Sequence, residues 1–244
     1  MLPKIAIICA NYNYGRFIIE GMESIKKQYY KGEIRLYIVD DGSSDDSWEK
    51  ISEFAEKDPD FVFAQRIQNS GASVARNTAL AAAWEWADIF GVLDADDSYK
   101  LNKVEKLVEK LMEYPEVGVA YGDYDIHRSY GDKHYVKYEA KSPYCRKELS
   151  IRCMIHSNAL IKKEYLEKVI LPNGEIFDSR LHGPASQGFI GCTEDFDLWL
   201  RLSHHCIMCH VPESLSIVNE SGQNQSMKMT PEIFQKQAQI LGSR

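Results

Sequence analysis

From Ile5 to Glu113, short apolar runs alternate with longer stretches whose apolar residues recur at helical spacing. Ile5–Ala10, Ile34–Val39, Phe61–Ile67 and Ile89–Leu93 read as strands. Their largely unbroken apolar character is that of strands covered on both faces, not the in–out alternation of a half-solvated sheet. Arg16–Lys27, the stretch from Asp45 or Asp46 to Lys57, Ala72–Trp86 and Lys100–Glu113 read as helices. Phe17, Ile18, Met22 and Ile25 mark the buried face of the first, and a short acid at 45 or 46 can cap the second. Such alternation predicts an α/β fold: a Rossmann-like, mainly parallel central sheet with helices on both faces. Ligands of these sheets settle at the carboxyl ends of the strands, which here carry Tyr12, Asp40, Asp41 and Asp94 to Asp97.

After a further strand at Val117–Tyr121 the pattern changes. Residues 122–144 read as a polar hairpin or loop with a strand near His134–Tyr138. Arg152–Ile161 reads as a strand, Lys163–Val169 as a short helix and Glu194–His204 as a helix. Ile207–Val211 and Ser214–Val218 read as strands, and Pro231–Leu241 as a terminal helix. Asp178–Cys192 holds four Gly or Pro residues and reads as a mobile loop. No linker composition separates residues 1–113 from 114–244, so one domain over 1–244 is expected.

Three acidic clusters carry the chemistry. Asp40-Asp41-Gly42-Ser43 sits at a strand-to-helix turn, where a carboxylate can accept from a ribose hydroxyl or a base N–H. A turn with a helix cap explains it equally well. Asp94-Ala95-Asp96-Asp97 ends a buried strand, which anchors its acids rigidly. Alternating carboxylates there suit one Mg²⁺ or Mn²⁺, a hard ion that binds a carboxylate or two plus substrate phosphates. Glu194-Asp195 opens a helix, whose dipole favours negative charge. Asp195 is therefore expected to stay ionised near neutral pH, as a general base must. Between them, Asn69-Ser70-Gly71 turns into a helix carrying Arg76, a cation that could face an anionic ligand.

The net charge of -7 argues against a nucleic-acid-binding surface. No segment approaches the ~20 apolar residues of a membrane span, and no signal peptide is visible at Met1-Leu2-Pro3-Lys4. Cys9, Cys145, Cys153, Cys192, Cys206 and Cys209 show no disulfide spacing, which predicts a reduced, cytoplasmic protein. Peripheral attachment at the inner face of the membrane is compatible with this. Cys206-x-x-Cys209, though flanked by His204, His205 and His210, lacks the second ligand pair of a structural zinc site.

Taken in order, Ala10-Asn11-Tyr12-Asn13, Val39 to Asp45, Asn69 to Asn77, Leu93 to Asp97 and Glu194 to Arg201 resemble the family 2 glycosyltransferases of the GT-A fold. The resemblance runs from Ile5 to about Ser226. It implies an inverting transfer from a nucleotide-diphosphate sugar, with a UDP-sugar favoured, to a hydroxyl of a glycan or lipid-linked acceptor in cell-surface polysaccharide synthesis. Residues 1–113 would bind the donor, and 114–244 would supply a small acceptor-side subregion and the base. By resemblance, Ala10, Tyr12, Asp41 and Arg76 hold the base, with Asp40 close to the nucleoside. Asp94 and Asp96 match the Asp-x-Asp signature for ribose, metal and diphosphate, and Asp97 is a neighbouring metal candidate. Asp195 matches the catalytic base, and His156 lies in a strand resembling the acceptor wall. The late loop Asn219–Ser226 carries Glu220 where many members have a metal-binding His, so Glu220 joins the metal candidates. The Gln/Arg-x-x-Arg-Trp signature of processive synthases is absent, which favours single addition. The competing readings are a metal-dependent sugar nucleotidyltransferase, for which Asn11 to Arg16 makes a poor phosphate loop, and a non-catalytic carbohydrate-binding module.

Overall fold

The computed structural model describes residues 1–130, 133–182, 193–220 and 241. The first half follows the predicted alternation: β1 (Ile5–Asn11), α1 (Ile18–Lys26), β2 (Ile34–Asp40), α2 (Ser47–Lys57), β3 (Val62–Arg66), α3 (Ala72–Ala83), β4 (Ile89–Asp94), β5 (Ser98–Tyr99) and α4 (Lys103–Glu113). The second half supplies β6 (Val117–Tyr130), β7 (Lys133–Glu139), α5 (Arg146–Leu149), β8 (Leu160–Lys162), α6 (Lys163–Leu166), a 3-10 turn (Glu167–Val169), α7 (Glu194–Leu202) and β9 (Ile207–Glu220). One sheet joins both halves in the order β3-β2-β1-β4-β8-β6-β9-β5, with β7 paired to β6. The pairings β1–β2, β2–β3, β1–β4 and β6–β9 are parallel, whereas β8, β5 and β7 pair antiparallel to their neighbours.

The core follows the two-residue period of the strands. Ala6 and Ile8 of β1 face one cluster, which contains Ala75, Ala79 and Ala83 of α3 and Leu198 and Trp199 of α7. Ile5, Ile7 and Cys9 face the other, with Ile18, Met22 and Ile25 of α1 and Val104, Leu107 and Leu111 of α4. Both faces of the parallel sheet are thus covered, which explains the unbroken apolar runs. At Gly91 a Cβ would come within 2.5 Å of the Leu160 side chain and 2.6 Å of Ile7. The absence of a side chain there lets β4 pack closely against its neighbours.

The sequence and structure differ most at two places. The predicted strand at Arg152–Ile161 shrinks to Leu160–Lys162, because His156 to Asn158 instead turn toward the acids of β4. The predicted break at Pro212 and Glu213 is an irregularity within one long strand, β9, where the β6–β9 register shifts. The polar stretch 122–144 is largely the hairpin of β6 and β7, one of the two forms expected for it. Most of the expected Asp178–Cys192 loop and of the Pro231–Leu241 helix lies outside the described residues.

Candidate active site

A cavity of about 460 Å³ opens at the carboxyl ends of β1, β2 and β4 and is closed on its far side by β6, β9 and the start of α7. Ala10, Tyr12, Asp41, Arg76, Asp94, Asp96, Asp97, Asp195 and Glu220 all line it, as does His156. Asp40 does not face it. Its carboxylate is fully buried and accepts from Asn11 Nδ2 at 3.0 Å and from the Ser43 N–H at 3.1 Å, with Arg66 Nε at 3.3 Å. Asp40 therefore braces the ends of β1 and β2, and the expected nucleoside contact gives way to a structural role.

Asp41 stands one residue further along, in the cavity wall. It accepts from the backbone N–H groups of Ser70 at 2.7 Å and Gly71 at 2.8 Å, and from Asn69 Nδ2 at 3.2 Å. The N–H groups that lead into α3, which could have met a ligand anion, are spent on this carboxylate. Gly42 makes the turn. Its φ of 75° lies in the left-handed region, and a Cβ would come within 2.9 Å of the Asn69 backbone nitrogen. Burial raises the Asp41 pKa, and the Ser70 and Gly71 N–H groups hold it back.

Arg76 is nearly buried and links two acids, donating to Asp94 at 2.8 Å and to Glu194. Burial opposes its charge, but Glu194, Asp94 and Asp195 outweigh that and raise its pKa. His182 Nδ1 lies 3.0 Å from the same Glu194 oxygen. Burial also opposes the Glu194 charge, yet His182 and Arg76 pull its pKa down to about 2. Arg76 is thus not a free cation waiting for a nucleotide. It ties the end of β4 to the start of α7, fixing the metal candidates relative to the base candidate. Glu194 opened the helix in the sequence, but only the fold reveals its partnership with Arg76.

At the β4 end, Asp94, Asp97 and His156 bring one ligating atom each to within 4.8 Å of one another. Asn158 Nδ2 holds Asp97 at 2.9 Å, the Asn219 N–H holds it at 3.2 Å, and Ser157 Oγ donates to Asp94. The Asp97 pKa rises well above the ordinary carboxylate range, through burial and then the charges of Asp94 and Asp96. Asp96 is pushed up to about 7 by burial and Asp94. His156 falls to about 4 because burial disfavours its charge, although Asp94 favours it, so it presents a neutral imidazole. Asp97, which has no ion-pair partner among the described residues, and Asp94, whose charge is met on one side by Arg76, stand with a neutral imidazole as an O,O,N donor set that fits a divalent cation. This trio differs from the expected Asp96, Asp97 and Glu220. Glu220 lines the cavity, but its oxygens meet Arg128, with Nη2 at 2.8 Å and Nε at 2.5 Å. Among the described residues the Cys206–His210 stretch forms no ligand group, and His210 instead meets Asp123 at 2.7 Å.

Asp195 lies in the first turn of α7 and lines the same cavity, and its Oδ1 accepts the Phe196 N–H at 2.7 Å. Its pKa is raised to about 7 by burial and the adjacent Glu194, against the pull of Arg76 and the Phe196 N–H. The helix dipole alone implied full ionisation at neutral pH; burial beside a second acid outweighs it. A carboxylate with a pKa near the working pH is well suited to take a proton.

The model for "Glycosyl transferase family 2" matches residues 6–170. The chain belongs to this family. The matched stretch covers the donor-side strands and the Asp94–Asp97 cluster and ends before α7. Glycosyltransferase GlyG of Streptococcus pneumoniae serotype 4 is 28% identical over 194 residues, which are 73% of this chain and 63% of that protein. The UDP-Glc:alpha-D-GlcNAc-diphosphoundecaprenol beta-1,3-glucosyltransferase WfaP of Escherichia coli is 32% identical over 129 residues, 53% of this chain and 49% of that protein. The chain thus spans less than two thirds of the length of these curated relatives. Among solved structures, Staphylococcus aureus TarS 1-349 with UDP-GlcNAc superposes with a TM-score of 0.70 at 15% identity, covering 98% of this chain and 65% of that one. The mannosyltransferase PcManGT from Pyrobaculum calidifontis, with GDP-Man and Mn²⁺, gives 0.66 at 17%, covering 93% and 60%. At these identities the likeness establishes the shared GT-A fold. Among the described residues no helix is long and apolar enough to cross a membrane.

Proposed function

We propose that this family member is an inverting enzyme that moves a sugar from a nucleotide-diphosphate sugar, with UDP-sugars favoured, to a hydroxyl of a glycan or lipid-linked acceptor. The observation that carries the reading is the meeting of two acidic groups in one cavity: the Asp94–Asp97 cluster at the end of β4 and Asp195 on α7, linked by the Arg76 bridge from Asp94 to Glu194. Residues 1–113 and 114–244 act as the donor and acceptor halves of one unit, an arrangement the shared sheet supports. Ala10, Tyr12 and Asp41 line the nucleoside end. Asp94, Asp97 and His156 would hold Mn²⁺ or Mg²⁺, and Asp96, which lines the same cavity, would serve the donor diphosphate. When bound, that ion neutralises charge building on the departing diphosphate. Asp195 takes the proton of the acceptor hydroxyl. The acceptor oxygen then bonds to the anomeric carbon while the bond to the diphosphate breaks on the opposite side, its electron pair leaving with the nucleotide.

The names of relatives support a place in cell-surface polysaccharide synthesis, since one carries a diphosphoundecaprenol acceptor in its name. A cytoplasmic location, with peripheral attachment to the inner membrane face, is compatible with such an acceptor. A thermal-shift screen of nucleotide sugars with and without Mn²⁺ tests the donor reading, because a ligand that binds the native state raises its melting point. A UDP-sugar should stabilise the protein, and more so with Mn²⁺. Indifference to every nucleotide sugar would sink the reading.

A further inference from the structure

Carboxylates crowd the cavity, and the Arg and Lys side chains lining it among the described residues are only Arg76 and Lys141. Arg76 is spent on Glu194 and Asp94. The Lys141 ammonium has no carboxylate partner among the described residues, and its side-chain neighbour is the Tyr124 ring, 5.5 Å away at the centroid. An unpaired cation in an acidic cavity invites an anion that the chain itself does not supply.

Its position is fixed although it follows the end of β7. The Lys141 N–H donates to Asp123 Oδ1 at 2.7 Å. Asp123 is 2% exposed, lies 2.7 Å from His210 Nε2 of β9, and accepts from Tyr138 of β7. A buried hub on β6 thus pins the backbone while the side chain stays unpaired, which limits the ordering entropy of binding. Lys141 is remote from the nucleoside end. The sheet order puts four strand spacings between β2, which ends beside Asp41, and β6, roughly 19 Å at ~4.8 Å per strand. It shares a wall with Tyr124, His156 and Cys153. The Cys153 thiol lies within the field of both groups: burial and Asp195 raise its pKa while Lys141 lowers it.

We propose that Lys141 is an anion-binding residue at the acceptor end, holding a phosphate or carboxylate that the acceptor carries close to the hydroxyl facing Asp195. This rests on the transferase reading above, and charge recognition here would set acceptor specificity.

The test titrates the protein, saturated with UDP and Mn²⁺, with glycerol 3-phosphate and with glucuronate, using glycerol and glucose as neutral controls. One of the two anions should bind, which identifies its class, while the neutral controls bind at least tenfold more weakly. Lys141→Gln should weaken that anion tenfold or more, Lys141→Arg should stay within threefold of wild type, and UDP affinity should not change in either. Anion affinity indifferent to Lys141→Gln, neutral controls binding as well as the anions, neither anion binding, or a parallel loss of UDP affinity would each overturn the proposal. UDP binding by the wild type is read separately: its failure sinks the transferase reading.

Discussion

Glu194→Gln is the perturbation that probes the base most sharply, because it alters the field at Asp195 without touching its carboxylate. Burial and Glu194 together raise the Asp195 pKa to about 7. Only the ionised form accepts a proton, so kcat/KM should rise tenfold per pH unit below 7 and level off above it. Glu194 and Asp195 are adjacent at the start of α7. Two like charges about 7 Å apart repel by about 2.4 kcal/mol at an effective dielectric of about 20. At about 1.36 kcal/mol per pH unit, loss of that repulsion moves the inflection down by about 1.7 units. Asp195 keeps some contact with cavity water, and screening trims the shift toward one unit. The expected inflection for Glu194→Gln is thus roughly pH 5.5 to 6. Cation binding near Asp94 moves both profiles slightly the same way, since Asp94 is the smallest of the named contributions. The assay is kcat/KM from pH 5 to 9 under fixed Mn²⁺, with UDP affinity as a control on folding. An inflection that stays near 7, or moves upward, while UDP still binds would refute the assignment of Glu194 as the group that tunes Asp195.

Arg76→Met should leave Glu194 and Asp94 without their shared cation. Breaking a buried ion pair costs about 3–5 kcal/mol, or roughly 6–20 °C in melting temperature for a chain of this size; a drop under 3 °C in a thermal melt with EDTA would show that Arg76 does not hold β4 to α7. Lys103 is 1% exposed and donates to Ser216 at 2.6 Å, and burial lowers its pKa from 10.5 to about 7. Its folded pKa is depressed, so the penalty is full below pH 7 and fades as pH rises from 7 toward 10.5. Lys103→Met, after the loss of one hydrogen bond, should stabilise the protein by about 1–3 kcal/mol at pH 6 and by progressively less toward pH 9. Melting at pH 6 that is no higher than wild type would contradict the burial argument.

The donor half was legible in the sequence because its signals are local. Apolar runs mark β1, β2 and β4, and each ends in polar residues that the parallel order brings to one edge. What escaped depends on pairing between distant segments. The long β6–β9 register sets Arg128 opposite Glu220, which commits that acid to an ion pair. The turn at His156 to Asn158 carries an imidazole and two clamps to Asp94 and Asp97, a contact across about sixty residues that no local period encodes. Asp40 and Asp41 are neighbours in the chain, yet one ends a strand and points into a buried network while the other faces the cavity. The Asp195 pKa needed the burial and the Glu194 charge, neither of which the first turn of a helix reveals.

Central to all of this is proton acceptance by Asp195 across from a donor held at the β4 end. Asp195→Asn, assayed with the UDP-sugar selected by the thermal-shift screen, tests it directly. The expected result is a kcat lower by about 10²–10⁴-fold, with UDP affinity in Mn²⁺ within twofold of wild type. Turnover within tenfold of wild type and an unchanged pH profile would contradict the account.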